Sequence, residues 1–265
     1  MSDVADAAIP EGASPETGGI ANPPVIILIE PQLGENIGKA ARAMLNCGLV
    51  DLRLVRPRDG WPSAAATANA SGADIVVDNA KLFDREEDAL ADLNRVYVTT
   101  ARTRDAIKPV FTPRGLAPEL RANVARGEKV GVLFGPERTG VRNEHVSMAD
   151  AVITVPLNPG FTSLNLAQAV LLIGYEWWQA GVAVPEYQML MNDTFPATRD
   201  EIELMFGHLE TELDQSGFFR VEAKKPPMMR NIRNIFNRSN LTHQEVQTVR
   251  GMIVAMCGAK HRKKS

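Results

Sequence analysis

Cysteine is scarce in this 265-residue chain: Cys47 and Cys257 are the only two, and neither has metal-ligand spacing around it. A disulfide scaffold and a cysteine-bound metal centre are thereby excluded. The two thiols are read as ordinary buried side chains, each in a predicted helix, in the reducing cytoplasm. Long apolar runs are lacking too. The longest aliphatic run is Val25 to Ile29, far short of the roughly 20 residues that cross a bilayer, so no membrane helix is expected. Residues 1–22 carry Asp3, Asp6, Glu11 and Glu16 among Ala, Pro and Gly. Lacking both a basic start and an apolar centre, they read as a disordered tail and not as a signal peptide. No Gly-Lys-Ser or Gly-Lys-Thr occurs, and the loop from Gly34 to Gly38 lacks the dinucleotide spacing. An ATP or nicotinamide enzyme has nothing to stand on.

What is present is a 45% apolar chain long enough for one sizeable core and a smaller attached domain. Its net charge of −3 conceals an asymmetry: residues 224–265 hold ten Lys or Arg and one acid, Glu245, which leaves −12 on residues 1–223. A basic end on an acidic body points to a polyanion, most commonly nucleic acid. A solvated tail is the alternative for Lys260, Arg262, Lys263 and Lys264.

From residue 24 to about 180, short β-branched runs alternate with helix-like stretches, the pattern of an α/β domain with a mostly parallel sheet. Six strands are predicted, at 25–29, 51–55, 75–77, 96–99, 130–134 and 152–155, with helices at 37–46, 63–70, 85–91, 117–126 and 164–179. The last helix is apolar nearly all round, so burial on several sides is expected, one of them against a partner subunit. Residues 181–197, with Pro185 and Pro196, read as a linker. A small helical domain follows over 198–265. Thr198 with Glu201 and Thr242 with Glu245 are capping boxes, and Met228, Ile232, Ile235 and Phe236 are assigned to the inner face of the helix between them. On the outer helices the apolar positions run Ile202, Met205, Phe206, Leu209, Leu213 and Val246, Val249, Ile253, Met256.

Three segments carry chemistry: Gly34-Glu-Asn36-Ile-Gly38 running to Arg42, Phe134-Gly135-Pro-Glu137-Arg138-Thr-Gly140, and Pro156 through Thr162-Ser163-Leu164-Asn165 to Ala167. All follow strands or precede helices, where open α/β sheets place their ligands. In the first helix, Ile37, Ala40, Ala41, Met44 and Gly48 form the stripe that packs on the sheet, with Arg42 nearly opposite. Asn165 opens an apolar helix and needs a hydrogen-bond partner if buried.

In this order the three segments resemble the motifs of the SPOUT (SpoU-type) RNA methyltransferases: Asn-x-Gly-x-x-x-Arg, Phe-Gly-x-Glu-x-x-Gly, and a proline-containing strand end leading to Ser-Leu-Asn-x-Ala. Past the linker, Phe206-Gly-His-Leu-Glu210, Ser216-Gly-Phe-Phe-Arg220 and Arg250-Gly-Met-Ile253 look like the C-terminal helical domain of the TrmJ-type branch.

The resemblance implies a deep trefoil knot in the sheet domain, a homodimer with the active site completed across its interface, S-adenosylmethionine as cofactor and no metal. It implies cofactor loops at Thr99, Thr100 and Ala101, at Gly135 and Glu137, and at Val155, Leu157, Thr162, Ser163 and Leu164. Arg42 would be the catalytic arginine supported by Asn36, with Ser163 and Asn165 orienting a ribose. Arg138, Arg230, Arg233 and Arg238 would meet RNA. The implied reaction is 2'-O-methylation of the pyrimidine at position 32 of a tRNA anticodon loop. A ribosomal RNA substrate, or an RNA-binding protein without activity, stays open at this point.

Overall fold

The computed structural model describes residues 17–100, 107–183, 185 and 187–261. The chain divides into two compact units, Met1–Val184 and Pro185–Ser265. In the first, the order is β1 (Val25–Ile29), α1 (Gly34–Leu45), β2 (Leu52–Val55), α2 (Ala64–Ala70), α3 (Asp74–Asp78), β3 (Lys81–Phe83), α4 (Glu86–Leu90), β4 (Arg95–Thr99), β5 (Val110–Phe111), α5 (Pro113–Ala125), β6 (Val130–Phe134), α6 (Asn143–Met148), β7 (Ala151–Ile153) and α7 (Leu166–Gln179). The strands form one seven-stranded sheet ordered β3-β2-β1-β6-β4-β7-β5, parallel throughout. β6 is the central strand, and beside it β1 pairs Ile26 with Leu52 on one side and Val132 on the other.

Helices on both faces explain why β1, β2 and β6 are buried at every position, since a parallel strand covered twice has no polar side. One face packs Ile26, Leu28, Leu54 and Val132 against α1, α2, α5 and α7; the other packs Val25, Ile27, Ile29 and Leu133 with Ala89 of α4 and Val146 of α6. Helix α1 lies on the sheet through Ile37, Ala40, Ala41 and Met44, all at most 2% exposed, and leaves Arg42 in solvent. Cys47 is buried in the turn after α1, where desolvation pushes its thiol up to about 11. Cys257 is half-buried on the last helix, not fully buried as expected.

The structure corrects the strand expected at Ile75–Val77, which is the short helix α3. Ala70, Ala73, Val76 and Val77 are buried while Ile75 is 40% exposed, a three-to-four-residue repeat that overrides the β-branched propensity of the run. The neighbouring edge strand is β3 instead. β5 and α6 were also unforeseen, because two and six residues give no readable period. β7 ends at Ile153, so Thr154 and Val155 belong to the following loop, and α5 begins four residues earlier than expected, at Pro113, capped by Thr112, whose hydroxyl accepts from Gly115 N–H at 3.1 Å. α7 is covered on one side only: Val170, Ile173, Gly174 and Trp177 are buried, whereas Leu171, Leu172 and Tyr175 are 41%, 37% and 50% exposed.

The second unit holds α8 (Arg199–Gln215), α9 (Lys225–Asn237) and α10 (His243–His261) around Met205, Phe206 and Val246. Both expected capping boxes form, with Thr198 N–H donating to Glu201 at 2.8 Å and Thr242 N–H to Glu245 at 2.7 Å. On α9 the buried methionine is Met229, while Met228 is half-buried and Ile235 is exposed. Met256 of α10 is exposed as well. Among the described residues no helix is long and apolar enough to cross a membrane.

Close approach of α1 to α2 rests on Gly38, where a Cβ would stand 2.1 Å from the carbonyl oxygen of Ala66. Gly38→Ala is expected to cost about 1–3 kcal/mol, as overpacking does, and to lower Tm measured by calorimetry; an unchanged Tm would contradict this account of the packing.

Candidate active site

At the carboxyl ends of β4, β6 and β7, in the middle of the sheet, three loops enclose a cavity of about 310 Å³. Such a volume lies within the usual range for small-molecule sites, roughly 300–1,000 Å³. Thr99 and Thr100 come from the end of β4, Gly135 to Gly140 from the loop after β6, and Val155, Leu157, Thr162, Ser163 and Leu164 from the loop after β7. All of the cofactor positions implied by the resemblance line this one cavity except Ala101, which lies outside the described residues. Arg138, assigned to RNA, also stands in its wall. Phe134, Pro136, Thr139, Gly140, Ile153, Leu166 and Ala169 complete the lining and were not among the assigned site residues. For Pro136, Thr139 and Gly140 the signal was there, since they sit inside the second motif.

The loops are tied to one another by main-chain groups. Thr100 N–H donates to Ile153 C=O at 3.0 Å, Thr154 Oγ1 to Thr100 C=O at 3.2 Å, and Thr99 Oγ1 to Leu133 C=O at 3.1 Å. The loop after β6 curls on itself, with Gly140 N–H on Pro136 C=O at 2.8 Å. Gly135 allows that curl, because a Cβ there would lie 2.5 Å from the Gly140 carbonyl carbon.

Asn36 and Asn165 do not line the cavity; they join the loops that do. Asn36, 7% exposed in the first turn of α1, donates through Nδ2 to Glu137 Oε1 at 3.0 Å. Its Oδ1 accepts from Asn165 Nδ2 at 3.0 Å, while Gln32 N–H donates to Glu137 Oε2 at 2.9 Å. Asn165 also caps α7, its Oδ1 accepting from Ala167 N–H at 2.9 Å. One chain of bonds thus connects all three motifs. Both oxygens of Glu137 have donors, and the charge-assisted bond from the buried amide is of the stronger kind.

Arg42 is elsewhere. It lies six residues beyond Asn36, about 9 Å along the helix axis at the standard rise, on the solvent side of α1. It is not in the cavity wall, and its side chain makes no hydrogen bond or ion pair among the described residues. In the second unit, Arg233 donates twice to Glu203, at 2.8 and 2.6 Å, and sits 4.6 Å over the Phe206 ring. Arg230 and Arg238 are exposed. No cluster of three or more His, Cys, Asp or Glu is placed to hold a metal ion among the described residues.

The far end of the curled loop is braced by charges at the ends of β1 and β2. Arg142 Nη2 and Arg56 Nη2 each donate to Glu30 Oε1 at 2.9 Å, and Arg56 also binds Glu86. Arg56 holds the Glu86 carboxyl down at about 2 and lowers Glu30. His145, 2% exposed, accepts Arg142 N–H on Nδ1 at 3.1 Å, so its proton sits on Nε2, 3.5 Å from Glu86. Burial lowers its pKa.

Family models match over two stretches: the SpoU rRNA Methylase family over residues 23–175, and the C-terminal domain of the tRNA methyltransferase TrmJ over 200–265. The chain is 35% identical over 233 residues to the tRNA (cytidine/uridine-2'-O-)-methyltransferase TrmJ of Escherichia coli O6:K15:H31 (strain 536), covering 87% of this chain and 94% of that protein. It is 35% identical over 238 residues to the tRNA (cytidine/uridine/adenosine-2'-O-)-methyltransferase TrmJ of Pseudomonas aeruginosa (strain UCBPP-PA14), covering 86% and 91%. Among solved structures, TrmJ from Z. mobilis ZM4 superimposes with a TM-score of 0.77 at 46% identity, covering 88% of this chain and 99% of that one.

Because burial holds the pKa of His145 in the folded chain below that of the unfolded imidazole, near 6.5, the unfolded state takes up protons first on acidification. Stability is complete above that pH and falls below it. Tm is expected to drop between pH 7 and pH 5, above the carboxylate range, and His145→Gln should flatten that drop; an equal drop in the variant would contradict the assignment.

Proposed function

This chain belongs to the SpoU methylase family, and we propose that within it the protein is a tRNA ribose 2'-O-methyltransferase that uses S-adenosylmethionine and acts as a homodimer. The observation that carries the reading is the convergence of three distant loops on one cavity joined by the Asn36–Glu137–Asn165 bonds. The tRNA substrate is favoured over ribosomal RNA by the match of residues 200–265 to the TrmJ C-terminal domain and by the names of the relatives. The TrmJ resemblance further implies the pyrimidine at position 32.

The cavity suits the cofactor in chemistry as well as size. Leu157, Leu164, Leu166 and Ile153 offer an apolar wall for a flat base, and Thr99, Thr100, Glu137 and Arg138 offer polar partners for a ribose and a zwitterionic tail. Convergence of the end of β4 and the loops after β6 and β7 on one cavity supports the trefoil threading expected of the family. When bound, S-adenosylmethionine supplies an electrophilic sulfonium methyl.

The chain's own task is to present the 2'-hydroxyl in line and to stabilise charge that builds on its oxygen as its proton passes to water. Ser163, in the cavity wall, orients the ribose. Asn165 holds the loop that carries Ser163. A guanidinium stays charged throughout, so Arg42 acts by anchoring phosphate and stabilising the developing alkoxide. Its distance from the cavity of its own chain fits a site shared between subunits, and the uncovered apolar face of α7, with Leu171, Leu172 and Tyr175, supplies a surface for the partner.

Mass spectrometry of nucleosides from tRNA incubated with the protein and labelled S-adenosylmethionine should find label on a ribose 2'-oxygen at position 32; label only on a base, or none, sinks the reading. Arg42→Ala should reduce transfer by at least about 10²-fold, as loss of an electrostatic stabiliser does, with cofactor affinity within twofold of wild type. Mixing it with an Asn36→Ala chain should restore part of the turnover that both homodimers lack. No restoration would place Arg42 and the cavity in one subunit.

A further inference from the structure

Helix α9 has two unlike faces. Met229, Ile232 and Phe236 turn inward, and Arg233 beside them is spent on Glu203 and the Phe206 ring. The opposite face carries Asn231, Asn234 and Arg238 at i, i+3 and i+7, flanked by Arg230 and by Ile235, which is 56% exposed. Asn231, Asn234, Ile235, Asn237 and Arg238 line a shallow groove along it. Asn237 Oδ1 accepts from Arg199 at 3.3 Å, and Arg238 Nε donates to the Asn234 carbonyl at 3.1 Å. The side chains of Arg230, Asn231 and Asn234 make no hydrogen bond or ion pair among the described residues.

This composition works against the helix that displays it. Asparagine prefers caps and turns and is a poorer helix former than alanine, yet α9 has three in 13 residues. Two of them face solvent and gain nothing inside the protein. A local choice that opposes the fold without compensation is the mark of a functional surface. Its sign is also set: between Glu222 and Glu245 there is no carboxylate, against five Lys or Arg. Lysines alone would serve for a plain phosphate grip. Primary amides add a donor and an acceptor in fixed geometry, which is what matches the edge of a base. Such edges are open to side chains in unpaired RNA loops and shut inside an A-form duplex.

We propose that this face of α9 binds the unpaired bases of an RNA loop, with Asn231 and Asn234 on base edges, Ile235 against a base or sugar face, and Arg238 on a neighbouring phosphate. The inference deepens the tRNA reading and rests on it; it moves recognition from the basic charge as a whole to one amide row, and removes Arg233 from it.

Fluorescence anisotropy with the full chain tests this, using a labelled RNA hairpin with an unpaired loop and a blunt RNA duplex of the same stem. Asn231→Ala with Asn234→Ala should weaken hairpin binding about tenfold or more, the size of a lost bidentate base contact, with duplex binding and the salt dependence unchanged. The same pair of substitutions should raise Tm, since alanine is the better helix former, so the loss cannot come from unfolding. Arg238→Ala should instead reduce the slope of log affinity against log salt by about 0.7, one phosphate contact on a single strand. Wild-type affinity of the double variant for the hairpin, or an equal loss on the duplex, overturns the inference alone. Failure of the wild-type chain to bind either RNA overturns it together with the tRNA reading.

Discussion

Three hydrogen bonds hold the site together: Gln32 N–H and Asn36 Nδ2 on the two oxygens of Glu137, and Asn165 Nδ2 on Asn36 Oδ1. They connect segments about a hundred residues apart in the chain, so no local preference can substitute for them. A side-chain bond to a charged group is worth about 1.5–3 kcal/mol, and stranding a buried amide costs more than making it gains. Asn36 bonds through both ends of its amide, Nδ2 to Glu137 and Oδ1 from Asn165. Replacing it releases the β6 loop and the start of α7 at the same time.

The sheet explains why those bonds can exist. Because β6 and β4 are neighbours at the centre and β7 is next to β4, Thr99 and Thr100 and the loops after β6 and β7 come to one cavity. The parallel crossovers bring α1 and α7 back on the same face of the sheet. Their first turns then meet above it, which is where Asn36 and Asn165 stand. Packing, through Gly38 and the small residues of α1, sets the height at which they meet.

Much of this was legible in residues alone. Continuous apolar runs marked β1 and β6, Thr-x-x-Glu marked the starts of α8 and α10, and the order of three motifs marked the cavity. Val76 and Val77 were not, because β-branched composition and helical spacing pointed to different elements and only the packing decides between them. Nor was the function of Asn165, in which capping and bridging turn out to be one arrangement using different atoms of the same amide. The arginines of α9 and its C-cap separate only in three dimensions. Arg233 falls on the flank that meets Glu203, and Arg238 on the flank that meets solvent. The uncovered side of α7 was foreseen as a need for cover, and a single chain does not meet it.

The central claim is that the Asn36 amide assembles a methyl-donor cavity out of loops that would otherwise part. Titration calorimetry of S-adenosylmethionine into wild-type protein and into Asn36→Ala tests it most directly. Loss of one charge-assisted bond predicts at least about a tenfold weaker affinity in the variant, with the fold retained by circular dichroism. Equal affinities in the two proteins would contradict it.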